Sequence, residues 1–201
     1  MAELPPIKLN TPTKYCPSTK KSPPVDPPTL DWITTTWTIT HSTLSMWRDA
    51  RNVRISYKML PGTADGRPRM DDLVEYEPLN KDGTLKTVEG VDTQASSIGW
   101  DWRGKGWLTL VHSHWEILGW GEVITAEGVK ERWAVTWFAP TVFSKEGLDV
   151  YCDRKEGLSE ATYERIFEAL KGLKGSEAKK VADLVEANMQ PVEIRLPWVE
   201  K

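Results

Sequence analysis

The segment His112-Ser113-His114-Trp115-Glu116 holds the densest set of groups able to do chemistry. On a strand, alternate side chains share a face, so His112, His114 and Glu116 point the same way, neighbours about 6.5–7 Å apart. Two imidazoles and a carboxylate on one face can hold a divalent metal with coordination positions left open. An isolated His pair on a strand is more often a solvated outer face, so no metal is expected. If one binds, His112, His114 and Glu116 are its ligands.

Acid–base work without a metal needs titratable groups in an apolar cavity, where burial moves their pKa. Tyr57, Glu75 and His41 are the candidates for catalytic roles, with Tyr76 and Tyr151 behind them. Tyr57 sits on the dry side of an alternating strand, where it either lines a pocket or packs. Glu75 shares a face with Leu73; if that face is internal, the carboxylate needs Arg51 or Arg54 as a partner. No Gly-x-Ser-x-Gly, Cys-x-x-Cys or phosphate-cradling glycine loop opening a helix occurs. No cofactor is expected.

These groups must be carried by strands. Val53, Ile55, Tyr57 and Met59 alternate with polar residues, and similar short β-branched and aromatic runs recur from Leu30 to Val150, split by turn residues. About eight strands at this spacing predict a sandwich or barrel. Arg103-Gly104-Lys105-Gly106 reads as a hairpin turn within 97–123. The period then changes to that of helices, over about 159–173 and 176–189. Ser159 is the N-cap of the first, Tyr163, Ile166, Phe167, Leu170 and Leu173 its apolar stripe, and Gly172 and Gly175 its end. The tail from Pro191 to Trp198 alternates and can add an edge strand.

Residues 1–29 hold eight of the 14 prolines and no hydrophobic period. They read as an extended, Pro-rich arm, a candidate contact for a homodimer, ahead of one domain over 30–201. The net charge of −3 and the mixing of signs leave no footprint for nucleic acid. No run approaches the roughly 20 apolar residues of a membrane helix. No signal peptide is visible, so a cytoplasmic address with Cys16 and Cys152 reduced is expected.

The meander of strands, Trp37 in the first of them, the run from Trp100 to Trp107 and the helix at 159–173 together resemble the lipocalin-like (calycin) barrels. The family's Gly-x-Trp is altered, because Thr35 stands where its Gly should. The resemblance implies a mostly β, closed antiparallel up-and-down barrel with the helices packed on it, binding a small hydrophobic molecule. Some members are cofactor-free isomerases, cyclases or lyases, and that is the alternative here. Gly106, His112 and His114 are also similar to the first half of a cupin motif, but Glu116 comes too early and the second half is missing. A cupin-like metal enzyme is the further alternative.

Eleven tryptophans outnumber five tyrosines and three phenylalanines together. Indole offers a large apolar face and one N–H donor, a combination suited to ligand cavities as well as to core plugs. Strand parity selects Trp37, Tyr57, Trp115 and Trp137 as the lining of a lumen for an aromatic or polycyclic molecule.

Overall fold

The computed structural model describes residues 5–15, 25–142, 144–173 and 178–200. Eight strands follow one another: β1 (Thr36–Ser42), β2 (Ala50–Leu60), β3 (Arg69–Pro78), β4 (Lys86–Gln94), β5 (Gly99–Gly104), β6 (His112–Ile124), β7 (Lys130–Phe138) and β8 (Gly147–Cys152). Each pairs antiparallel with the next, and β1 pairs with both β2 and β8, which closes the barrel. Closure leaves few free edges for strands this rich in apolar side chains.

A ninth strand, β9 (Gln190–Pro191), lies on the far half of β1. Here β1 and β2 diverge after three pairs, Thr36 to Thr38 against Ser56 to Arg54. The tail is wedged between them: Val192 N–H donates to Thr40 C=O at 2.9 Å, and Asn52 N–H donates to Glu193 C=O at 2.8 Å. Asn52 marks a bulge in β2 and has φ of 51°, a left-handed geometry that asparagine tolerates.

The core has two compartments. Inside the barrel lie Trp37, Ile39, Val53, Ile55, Tyr57, Met70, Trp100, Trp115, Ile117, Ala134 and Tyr151. Outside β6, β7 and β8 lies a second cluster, where Leu118, Trp133, Val135, Trp137, Leu148 and Val150 meet α2 (Glu160–Lys171) and α3 (Ala178–Asn188). Both faces of β7 and β8 are therefore buried.

Ser159 caps α2, its Oγ accepting from Thr162 N–H, and Glu131 of β7 reaches the same turn. The helix buries Thr162, Ile166 and Leu170, while Tyr163 and Phe167 flank that stripe half-buried. All five residues of the expected stripe pack in the outer cluster, and Thr162 joins them as a buried polar residue. Its expected stop at Gly175, and the start of the next helix at 176, lie outside the described residues.

Two other local expectations differ. Leu30–Ile33 form a short helix, α1, where a strand was expected; Thr29 Oγ1 accepts from Trp32 N–H at 3.3 Å and starts it. This turn lays Ile33 against the inner cluster, packs Trp32 beside it, and lets Trp37 Nε1 donate to Ile33 C=O at 2.8 Å. The β5–β6 connection is no tight hairpin, because a 3-10 turn, Gly106–Leu108, carries it on to Val111.

The described parts of the Pro-rich arm lie along β6. Asn10 N–H donates to Leu118 C=O at 2.6 Å, and Leu9 covers Gly119 so closely that a Cβ there would meet Leu9 Cδ2 at 2.4 Å. Among the described residues no helix is long and apolar enough to cross a membrane.

Candidate functional site

Three of the four residues expected to line a lumen belong to the inner cluster: Trp37, Tyr57 and Trp115, each at most 2% exposed. Trp137 does not. It lies in the outer cluster, its Nε1 donating to Glu146 at 2.6 Å with Tyr15 at its edge. The parity of β7 groups Trp133, Val135 and Trp137 correctly, but the helices turn that large-residue face outward and leave small Ala134 and Thr136 inward.

Inside, the rings form a near-parallel series. Tyr57 and Trp115 stack at 5.7 Å and Trp115 and Trp100 at 6.1 Å, both at 18°. Trp102 packs over Gly90, where a Cβ would stand 2.1 Å from its Nε1, so this wall requires glycine.

The sequence reading missed the acidic groups among these rings. Asp72 shares its side of β3 with Met70 and Val74, and Asp92 sits on β4 two residues from Gly90. Trp115 Nε1 donates to Asp92 Oδ1 at 2.7 Å. Asp72 and Asp92 adjoin closely enough to share a proton; burial raises both pKa values, and for Asp72 the charge of Asp92 adds to it. Two carboxylates in one dry site cannot both ionise cheaply.

Tyr57 and Tyr151 adjoin the pair, their hydroxyls pushed up mainly by burial. Among the described residues Asp72 Oδ1, Asp92 Oδ2 and the Tyr151 hydroxyl have no hydrogen-bond partner of good geometry, although Tyr57 and Thr136 lie beside that hydroxyl and Asp72 beside Asp92. Deeper along β8, Asp149 accepts from Ser42 Oγ, and burial raises its pKa to about 7. The available signal was a carboxylate on the dry parity of a strand.

The three expected acid–base residues do not converge. Tyr57 is interior, but Glu75 faces outward and pairs with Arg54 at 3.1 Å. Arg54 in turn stacks on Trp198 at 4.7 Å, beside an external cleft of about 380 Å³. His41 follows a β1 bulge and stacks on Tyr163 of α2 at 3.4 Å, and burial pushes its pKa down to about 4.

The His-x-His strand also looks outward. His112 is exposed, while His114 is held between Asp101 at 2.7 Å and Glu116 at 3.2 Å. Glu116 is buried by the arm, accepting from Thr13 N–H at 2.8 Å. Its hydrogen bond and that of Asp101 raise His114 to about 8 against the desolvation of the ring. Among the described residues no set of three or more His, Cys, Asp or Glu groups is arranged to hold a metal, which leaves the cupin-like alternative without a donor set there. Cys152 is free and buried, its thiol pushed up to about 12 by desolvation; Cys16 lies outside the described residues.

No protein-family model and no curated protein matches the chain. It is similar to a solved structure described as "Apocrustacyanin C1 crystals grown in space and earth using vapour diffusion geometry", with 12% identity, 80% of this chain and 76% of that chain covered, and a TM-score of 0.47. The chain's own topology is that of a closed, eight-stranded antiparallel up-and-down barrel, joined through β1, with the helices outside and a stack of aromatic rings within.

Proposed function

We propose that the barrel interior binds a small hydrophobic molecule bearing an aromatic ring, among Tyr57, Trp100, Trp115 and Tyr151. The observation that carries this reading is the set of buried polar atoms among those rings that have no hydrogen-bond partner among the described residues: Asp72 Oδ1, Asp92 Oδ2 and the Tyr151 hydroxyl. A buried polar group left unmade costs about 1–3 kcal/mol. A solid core gains nothing from three of them, whereas an occupant that satisfies them recovers that cost. Titrating a panel of rigid aromatics while following Trp emission tests it. Quenching that weakens in Trp115→Leu but persists in Trp137→Phe, a variant of the outer cluster, is expected. No response from any panel member would make the rings a core filling.

The shared-proton pair favours a second reading, cofactor-free isomerisation, cyclisation or elimination on the bound molecule. Asp72 and Asp92 then act as the acid and base, in place of Glu75 and His41. Asp92→Asn retaining binding while abolishing turnover is its signature.

A further inference from the structure

The inner faces of the barrel carry an excess of acceptors. Asp72 on β3, Asp92 on β4 and Asp149 on β8 are all at most 6% exposed. No Lys, Arg or His forms an ion pair with any of them among the described residues. Lys105 is bound to Asp71 on the outer side, Arg132 pairs with Asp153 at 2.7 Å, and Arg48 donates to the carbonyls of Ser42 and Asn188. Asp92 accepts from Trp115 Nε1 and otherwise meets only the carboxyl group of Asp72 among the described residues. What remains open, Asp72 Oδ1, Asp92 Oδ2 and the fully buried Tyr151 hydroxyl, is two carboxylate oxygens and a phenol.

We propose that the occupant is a cation, an aromatic amine whose ammonium group sits against Asp72 and Asp92 and whose ring joins the Tyr57–Trp115–Trp100 series. The proposal rests on the interior-binding reading above and names its ligand class. An ammonium has three donors and no acceptor, the complement of what is unmade here. The electron-rich faces of the neighbouring phenol and indoles attract the same charge. A neutral alcohol answers part of the hydrogen bonding, and a carboxylate is repelled. Without a bound cation the two adjoining carboxyl groups, both pushed up by burial, hold a proton between them. The incoming ammonium takes that place, the O–H bond breaks, and the proton leaves to the buffer, so charge is conserved at the site.

Calorimetry of the full chain at pH 7 with 2-phenylethylamine, 2-phenylethanol and 3-phenylpropionate separates the possibilities. The amine should bind about tenfold or more tighter than the alcohol, and the acid should bind more weakly than either. Heats measured in two buffers of different ionisation enthalpy should report proton release with the amine alone. Asp92→Asn, which keeps an oxygen for Trp115, should bring the amine to within about threefold of the alcohol; Asp72→Asn gives the same comparison should that variant fold poorly. The alcohol matching the amine, or no proton release, would overturn the cation and leave an interior site standing. If none of the three binds, the interior-binding reading falls and the cation with it.

Discussion

Replacing Glu131 by alanine removes the group that ties α2 to the barrel. Its carboxylate, 0% exposed, accepts from Ser159 N–H at 2.9 Å, Ser159 Oγ at 2.8 Å, Thr162 Oγ1 at 2.9 Å and Arg154 Nη1 at 2.9 Å. Two of these donors belong to the cap residue of α2, so the charge also meets the positive end of that helix. Arg154 is partly exposed and water can replace its contact, but the hydroxyl of Thr162 is buried. Removing one partner of a buried charged network costs about 3–5 kcal/mol. Glu131→Gln keeps one acceptor oxygen for the cap and should cost about half of that, roughly 1.5–2.5 kcal/mol. Urea melts followed by far-UV circular dichroism and Trp emission give both numbers. A cost under about 1 kcal/mol for alanine, or equal costs for the two variants, would refute the idea that a charged cap docks α2.

His114 carries a folded-state pKa near 8, above the unfolded value, so its contribution is full below about pH 6.5 and is lost as pH rises through 8. Amide exchange at Asn10 and Thr13 should therefore speed up between pH 6.5 and 8.5 beyond its intrinsic rise, and His114→Gln should abolish that excess; an unchanged excess in the variant argues against protonated His114 holding the arm through Glu116. Asp149 has the same sign in a lower window: its folded pKa near 7 lies above the unfolded value of about 4, so the native state holds the extra proton and stability falls as pH climbs from 4 to 7. Asp149→Asn, which still accepts from Ser42, should raise Tm at pH 7.5 more than at pH 4, and an equal change at both would count against a buried neutral carboxyl.

The alternation of β2 made the inner position of Tyr57 legible, and Arg54 was one of the two partners named for Glu75. The cap at Ser159 was readable as well, because it depends on neighbours in sequence. What failed was long-range. Parity says which residues share a face, not which face is inside, and on β7 both faces are apolar because helices cover the outer one. Bulges after Ile39 and Ile117 shift parity in mid-strand, so one end of β1 or β6 cannot be extrapolated to the other. Asp72 stands beside Asp71, and only the register of β3 sends the first inward and the second to Lys105. His41 could not be read from β1 at all, since its surroundings come from Tyr163.

The tail wedged between β1 and β2 bears on solubility. With the tail in place, the far half of β1 and the Asn52 stretch of β2 are both paired. Lifting it bares two facing strand edges, at Thr40 and at Asn52, beside the apolar interior. Such edges are templates for any extended segment, including the same tail from a second molecule. The pairing of this one short segment is thus what keeps those two edges from being offered to another molecule.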